Sequence, residues 1–115
     1  MKILFFGNAS FGIPTLEKLV RSNHQVISVV TNKDKKAGRG NRYQSTPIKK
    51  WSLQNNVSIL EENNLSSREF TDKINSINPD LIVVIAFKLL PECIFNIPVY
   101  GTMNLHASLL PKYRG

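Results

Sequence analysis

The sequence predicts an α/β fold, a Rossmann-like parallel sheet with helices on both faces. Short apolar segments alternate with segments whose apolar residues recur at helical spacing, in the order βαβαβαβαβ. The most hydrophobic segment, Leu81 to Ala86, has the composition of a strand buried on both sides, and we expect it at the sheet centre. Strands joined by crossover helices form parallel sheets. A chain of 115 residues, 42% of them hydrophobic, suits one domain and is too short for two.

The strands and helices each have a local signal. The predicted strands cover residues 2–6, 25–31, 57–60, 81–86 and 100–105. The first helix begins near Pro14 and carries Leu16 and Leu19 on one face. Residues 32–45 between the second strand and the next helix are polar and basic, which predicts an exposed loop of about fourteen residues.

The later helices are predicted from their first residues. Thr46-Pro47 is typical of a helix N-cap followed by proline, and Ile48 and Trp51 would lie on the inner face of that helix. Ser66 and Glu69 have the spacing of a capping box, with Phe70, Ile74 and Ile77 following at helical spacing. Asn78-Pro79-Asp80 ends this helix, and a short helix is expected over residues 91–95.

Composition and charge exclude several classes of protein. The longest apolar run, Leu81 to Phe87, is far shorter than the roughly 20 residues that cross a bilayer, so we expect no membrane association. A single cysteine, Cys93, and the absence of zinc-ligand spacing indicate a reducing, cytoplasmic environment and no metal. The net charge is +7, of which residues 32–50 carry +6, so the excess is local and predicts an anionic partner. The twelve asparagines are assigned no functional meaning.

Two common nucleotide motifs fail. The segment from Gly7 to Gly12 has the glycine spacing of a P-loop, but Ile13-Pro14 replaces the required Lys-[Ser/Thr]. Ala9 occupies the second glycine position of a dinucleotide fingerprint, and the second strand ends without a carboxylate for a ribose. The glycines are explained by a tight turn from strand to helix.

The end of the last strand carries candidate catalytic residues. Because side chains at i and i+2 of a strand share a face, Asn104 and His106 should point together while Leu105 points into the core. An amide and an imidazole side by side suit the stabilisation of an oxyanion, and the alternative role for His106 is to cap the end of the strand. Leu109, Leu110 and Pro111 in the following loop would line a groove for a flat, partly apolar ligand or pack against another helix.

The segment NLHASLLPKYRG, residues 104–115, resembles the signature of the 10-formyltetrahydrofolate-dependent formyltransferases. Near the front of the chain, ILFFG at 3–7, AGRG at 37–40 and STPIK at 45–49 are similar to the methionyl-tRNA formyltransferases of that family. Two places depart from the family pattern: Asn8-Ala9-Ser10, where Thr-Pro-Asp is usual, and the segment around Lys88, which is one residue short.

The resemblance implies formyl transfer from 10-formyltetrahydrofolate to the amino group of initiator methionyl-tRNA, without a metal. It implies that Asn104 and His106 are catalytic. The implied folate contacts are Ser108, Leu109, Leu110 and Pro111. The implied tRNA contacts are Lys33, Lys35, Lys36, Arg39 and Arg42. Residues 1–115 would be the N-terminal part of the catalytic domain and inactive alone. A third catalytic residue, an aspartate, and a C-terminal tRNA-binding domain would lie beyond residue 115. No protein partner is implied.

Two alternatives stay open. The first is that the chain belongs to a formyltransferase of the same superfamily that acts on a small amine, either a purine precursor or an amino sugar. A small substrate, however, gives no reason for six net positive charges in residues 32–50. A non-enzymatic RNA-binding module would explain the charge and leave the segment 104–115 without a role.

Overall fold

A computed structural model describes residues 1–38, 40 and 42–105. Its strands are β1 (Lys2–Gly7), β2 (Gln25–Thr31), β3 (Lys35–Ala37), β4 (Arg42–Gln44), β5 (Ile59–Glu61), β6 (Leu81–Ile85) and β7 (Thr102–Leu105). Its α-helices are α1 (Ile13–Arg21), α2 (Pro47–Gln54), α3 (Arg68–Ile77) and α4 (Glu92–Phe95), and a 3₁₀ turn over Ser10–Gly12 precedes α1. In this described part, no helix has the length and apolar character needed to cross a membrane.

Five strands form one parallel sheet in the order β5-β2-β1-β6-β7. The predicted parallel α/β fold is therefore confirmed. The expected position of residues 81–86 was wrong, because β1 lies at the centre and β6 beside it. Strand β1 is itself apolar and buried from Ile3 to Phe6, so composition alone does not separate the two strands.

Alternation along β1 divides the core into two layers. Ile3 and Phe5 pack with α1 and α2 on one face, while Leu4 and Phe6 pack with α3 and α4 on the other. All four side chains are no more than 1% exposed. Burial of each contributes about 1.5–3 kcal/mol, which fixes the face that each side chain takes and hence the strand register.

The predicted loop over residues 32–45 contains an antiparallel hairpin. Strands β3 and β4 pair with Lys35 opposite Gln44 and Lys36 opposite Tyr43. Gly38 and Gly40 lie at the tip of the hairpin with φ of +70° and +84°, backbone angles that residues other than glycine rarely adopt. The hairpin was missed because its strands are polar and only three residues long, and such strands show no apolar alternation.

The predicted helix ends are mostly confirmed. The Thr46 side chain accepts a hydrogen bond from the Lys49 N–H at 3.0 Å, with Pro47 at the first helical position. Helix α3 is capped by Ser67 rather than Ser66, since the Ser67 hydroxyl accepts from the Phe70 N–H at 3.0 Å. Glu69 therefore stands one position too early for the predicted capping box.

Candidate active-site cleft

The carboxyl ends of four parallel strands meet at one cleft. Its volume is about 730 Å³, and it is lined by residues that follow β1, β2, β5 and β6, by both strands of the hairpin and by the start of α2. The lining residues are Asn8, Ala9, Ser10, Asn32, Lys33, Lys35, Gln44, Ser45, Thr46, Pro47, Asn63 and Lys88. The chain runs outward from β1 through β2 to β5, then returns to β6 on the other side of β1. Such a reversal is where open α/β sheets bind ligands.

A row of three asparagine side chains forms the floor of the cleft. The Asn8 amide donates to Asn32 Oδ1 at 2.6 Å, and the Asn32 amide donates to Asn63 Oδ1 at 3.0 Å. Both ends of the row are fixed by backbone donors: Asn8 Oδ1 accepts from the Asn32 N–H and Asn63 Oδ1 from the Lys33 N–H, each at 2.9 Å. A backbone N–H can only donate, so each amide has one permitted orientation.

The row continues into helix α2 through two threonines. The buried Thr31 hydroxyl donates to Asn8 Oδ1 at 2.8 Å and lies 2.6 Å from the Thr46 hydroxyl. The first two backbone N–H groups of α2 already have acceptors, because the Ile48 N–H donates to the Asn8 carbonyl and the Lys49 N–H to the Thr46 hydroxyl. These first N–H groups of α2 are therefore not available to bind a phosphate.

The hairpin presents two different faces. Lys35 and Gln44 are cross-strand partners, and both line the cleft. Arg42 shares the face of Gln44 because side chains alternate along a strand. Lys36 and Tyr43, the neighbouring pair, lie on the opposite face. The basic residues of the hairpin are therefore divided between the cleft and an outer surface.

Lys49 ties the base of the hairpin to the sheet. Its ammonium group lies 3.0 Å from Asp34, at the start of the hairpin, and 3.2 Å from Glu61, at the end of β5. The hydrogen bond from Lys49 lowers the pKa of the Asp34 carboxyl below its ordinary value. The same contact, with Glu61 adding to it, raises the pKa of Lys49. Lys49 is thus charged and paired with two carboxylates.

Asn104 lies on edge strand β7, where it pairs in register with Val84 of β6 and is exposed. Its position near the carboxyl edge of the sheet is the predicted one, although it does not line the described cleft. The expectation that Leu105 enters the core was wrong, because its side chain is 36% exposed. Leu105 is in register with Ile85, which belongs to the buried cluster on the face covered by α1 and α2, but Leu105 is not itself a member of that cluster.

The other predicted catalytic and folate-binding residues lie outside the described residues. They are His106, Ser108, Leu109, Leu110 and Pro111. Arg39, one of the predicted tRNA contacts, also lies outside them. Of the remaining predicted tRNA contacts, Lys33, Lys35, Lys36 and Arg42 are all exposed on or beside the hairpin.

Sequence reasoning missed the asparagine row. Asn8 and Asn32 each stand directly after a strand, and Asn63 stands two residues after β5. Asparagine after a strand is common in turns, so each position alone is ambiguous. The available signal was an asparagine just after each of three strands, because the carboxyl ends of parallel strands lie at the same edge of the sheet.

The cleft combines an uncharged amide floor with lysines at its rim. Lys88 contacts the Asn63 carbonyl oxygen, and Lys33 and Lys35 stand on the hairpin side. Within residues 1–38, 40 and 42–105, no three His, Cys, Asp or Glu side chains are grouped closely enough to hold a metal ion. The arrangement can bind a polar ligand that carries negative charge near the hairpin.

Comparison with known proteins identifies the class. The profile of the formyl transferase family matches residues 1–115, and the chain belongs to that family. The phosphoribosylglycinamide formyltransferase of Coxiella burnetii, solved with CHES, has the same fold with a TM-score of 0.64 at 16% identity. That match covers 100% of this chain and 55% of the other.

Curated relatives are more similar in sequence. The methionyl-tRNA formyltransferase of Sulfurihydrogenibium sp. is 46% identical over 117 residues, which cover 100% of this chain and 38% of that protein. Those of Clostridioides difficile and Acetivibrio thermocellus are each 44% identical over 116 residues, again over 100% of this chain and covering 38% and 37% of their own lengths. The chain therefore spans less than two fifths of the length of these three curated relatives.

Proposed function

We propose that this protein transfers a formyl group from 10-formyltetrahydrofolate to the amino group of initiator methionyl-tRNA, in the cytoplasm. One observation carries the proposal: relatives named methionyl-tRNA formyltransferase are 38–46% identical to this chain over its whole length. The resemblance of residues 104–115 to the formyltransferase signature supports the donor, and the basic hairpin supports an RNA acceptor.

Residues 1–115 would form the N-terminal part of the catalytic domain. In the proposed reaction the methionine amine attacks the formyl carbon. A C–N bond forms to methionine, the C–N bond to the folate breaks, and the amine proton ends on the folate nitrogen. Asn104 and protonated His106 stabilise the oxyanion of the tetrahedral intermediate. Ser108 to Pro111 contact the folate, and an aspartate beyond residue 115 sets the protonation state of His106.

The charge distribution favours tRNA over a small amine as the acceptor. Lys33, Lys35 and Arg42 are exposed and lie on or beside the cleft-facing side of the hairpin. Each contact between a lysine or arginine and a phosphate releases a counterion, so binding falls as salt rises. A small amine substrate needs no such set of charges beyond the edge of the cleft.

Activity and binding assays on the intact protein test the proposal. We expect formyl-methionyl-tRNA to form, and we expect Asn104→Ala to lower kcat by about 10²–10³-fold, the usual loss when one oxyanion donor is removed. His106→Ala should lower kcat with little change in the Kd for tRNA. Asn75→Ala, on the exposed side of α3, is the control and should retain activity. Formylation of phosphoribosylglycinamide but not of methionyl-tRNA would refute the proposed acceptor.

A further inference from the structure

We propose that the outer face of the hairpin, formed by Lys36 and Tyr43, stacks an unpaired nucleobase of the RNA substrate. This inference rests on the proposed function, since it concerns the same RNA. It assigns a binding role to the hairpin face that points away from the cleft.

The first argument is the exposure of an aromatic side chain. Tyr43 is 66% exposed, although it belongs to a strand and stands directly opposite Lys36. The Lys36 ammonium group lies 5.8 Å from the centre of the Tyr43 ring, within the range of a cation–π contact. This contact holds the ring against the hairpin and keeps a positive charge beside it. The ring is therefore positioned by Lys36 and still exposed enough to stack against a base.

The second argument is the chemistry of the adjoining groove. A shallow groove of about 510 Å³ beside Tyr43 is lined by Lys33, Asp34, Tyr43, Lys49 and Glu61. Asp34 and Glu61 are both paired with Lys49, so the groove itself carries little net positive charge and does not suit a phosphate. Its carboxylates accept hydrogen bonds, which suits the amino groups of adenine, cytosine or guanine. Lys33 and Lys36 at its edge suit the flanking phosphates.

The third argument is the kind of RNA that such a surface can read. Proteins recognise unpaired RNA by stacking its bases on aromatic side chains, whereas a base within a duplex is already stacked on its neighbours. An exposed tyrosine beside lysines on the hairpin therefore selects an unpaired end over a duplex. The face with Lys35 and Arg42 stays available for the strand that enters the cleft.

The experiment compares two RNA hairpins, one with four unpaired nucleotides at its 3′ end and one with a blunt end, for binding to the intact protein. We expect Tyr43→Leu to weaken binding of the overhanging RNA by about 5- to 150-fold, the range for losing one base–aromatic stack, and to leave binding of the blunt RNA unchanged. Tyr43→Phe should bind like the wild type because it retains the ring. Tyr100→Leu is the matched control, since Tyr100 is 69% exposed and lies outside the hairpin.

Two further measurements separate stacking from charge. A 2-aminopurine in the unpaired end should be quenched on binding to the wild type and not on binding to Tyr43→Leu. Lys36→Gln should reduce the slope of log affinity against log salt by about 0.7, while Tyr43→Leu should leave that slope unchanged.

The outcomes distinguish this inference from the proposed function. If the wild type binds the overhanging RNA and Tyr43→Leu binds it equally well, the stacking role is refuted and the proposed function stands. Equal weakening for both RNAs also refutes stacking. If the wild type binds neither RNA, the RNA acceptor and the stacking role fail together.

Discussion

Replacing Asn8 with alanine removes the end of the asparagine row that joins it to Thr31 beneath the cleft. The side chain makes hydrogen bonds at 2.6 Å with Asn32 Oδ1, at 2.8 Å with the Thr31 hydroxyl and at 2.9 Å with the Asn32 N–H. A hydrogen bond contributes about 1 kcal/mol net, and Asn8 is half-buried, so we expect the free energy of unfolding to fall by about 2–3 kcal/mol. Thr31 keeps its contact with Thr46, which limits the loss.

Urea and thermal unfolding followed by circular dichroism measure this effect. For a domain of this size the expected loss corresponds to a fall in Tm of roughly 8–15 °C. Asn75→Ala is the control, because its amide makes one exposed contact, at 3.1 Å, with the Thr71 carbonyl on the same helix. If Asn8→Ala lowers stability no more than Asn75→Ala does, the row contributes nothing and the reasoning fails.

Asn8→Asp tests the orientation of the row. The aspartate keeps both acceptor contacts but places an oxygen against Asn32 Oδ1. Asn32 cannot rotate its amide to compensate, because its Nδ2 is needed by Asn63 Oδ1, which the Lys33 N–H holds in place. We therefore expect Asn8→Asp to be destabilising at pH 7 despite its identical size. Wild-type stability in this variant would show that the amides are free to reorient.

Two further predictions concern the base of the hairpin and the first turn after β1. The lowered pKa of Asp34 means that its contribution to stability is present above its unfolded pKa of about 4 and is lost as pH falls through the lower folded value. Lys49→Met should abolish this loss. The free energies of unfolding of the wild type and of Lys49→Met, plotted against pH, should therefore converge between pH 5 and pH 2, and parallel plots would contradict the role given to the Asp34–Lys49 pair. In Gly7→Ala the new Cβ would lie 2.9 Å from the buried Phe5 ring and 3.2 Å from the Ile85 carbonyl oxygen, at a cost of about 1–3 kcal/mol in urea unfolding. Gly12→Ala meets its nearest neighbour at 3.5 Å and should cost less, and equal losses would refute the steric argument.

Apolar patterning predicted the parallel sheet because the core has two layers and strands β1 and β6 are buried along most of their length. Strand β2 was predicted with its observed bounds, residues 25–31, because polar residues flank it on both sides. The strand order was not predictable in this way, since β1 and β6 are equally apolar and only pairing across the sheet places β1 at the centre. The sequence did not distinguish Ser66 from Ser67 as the cap of α3, because adjacent serines have the same capping chemistry.

The polar site was less predictable than the fold. Lys49 stands 15 residues from Asp34 and 12 from Glu61, so nothing local distinguished it from the exposed lysines around it. The three asparagines of the cleft are brought together only by the adjacency of β5, β2 and β1. The place of Asn104 near the carboxyl edge of the sheet was predictable from the strand pattern, and its catalytic role stays a prediction.

The central place of β1 has a consequence for how the chain folds during synthesis. Residues 2–7 gain their first neighbour when β2 emerges, but their second edge is closed only by β6, which begins 74 residues after β1 ends. At about 5–20 residues per second, a ribosome needs roughly 4–15 s to make that interval. Until then one edge of the most deeply buried strand has no partner, and an unpaired apolar edge is a site for aggregation. The nascent chain must be protected for those seconds, a requirement that the finished fold no longer shows.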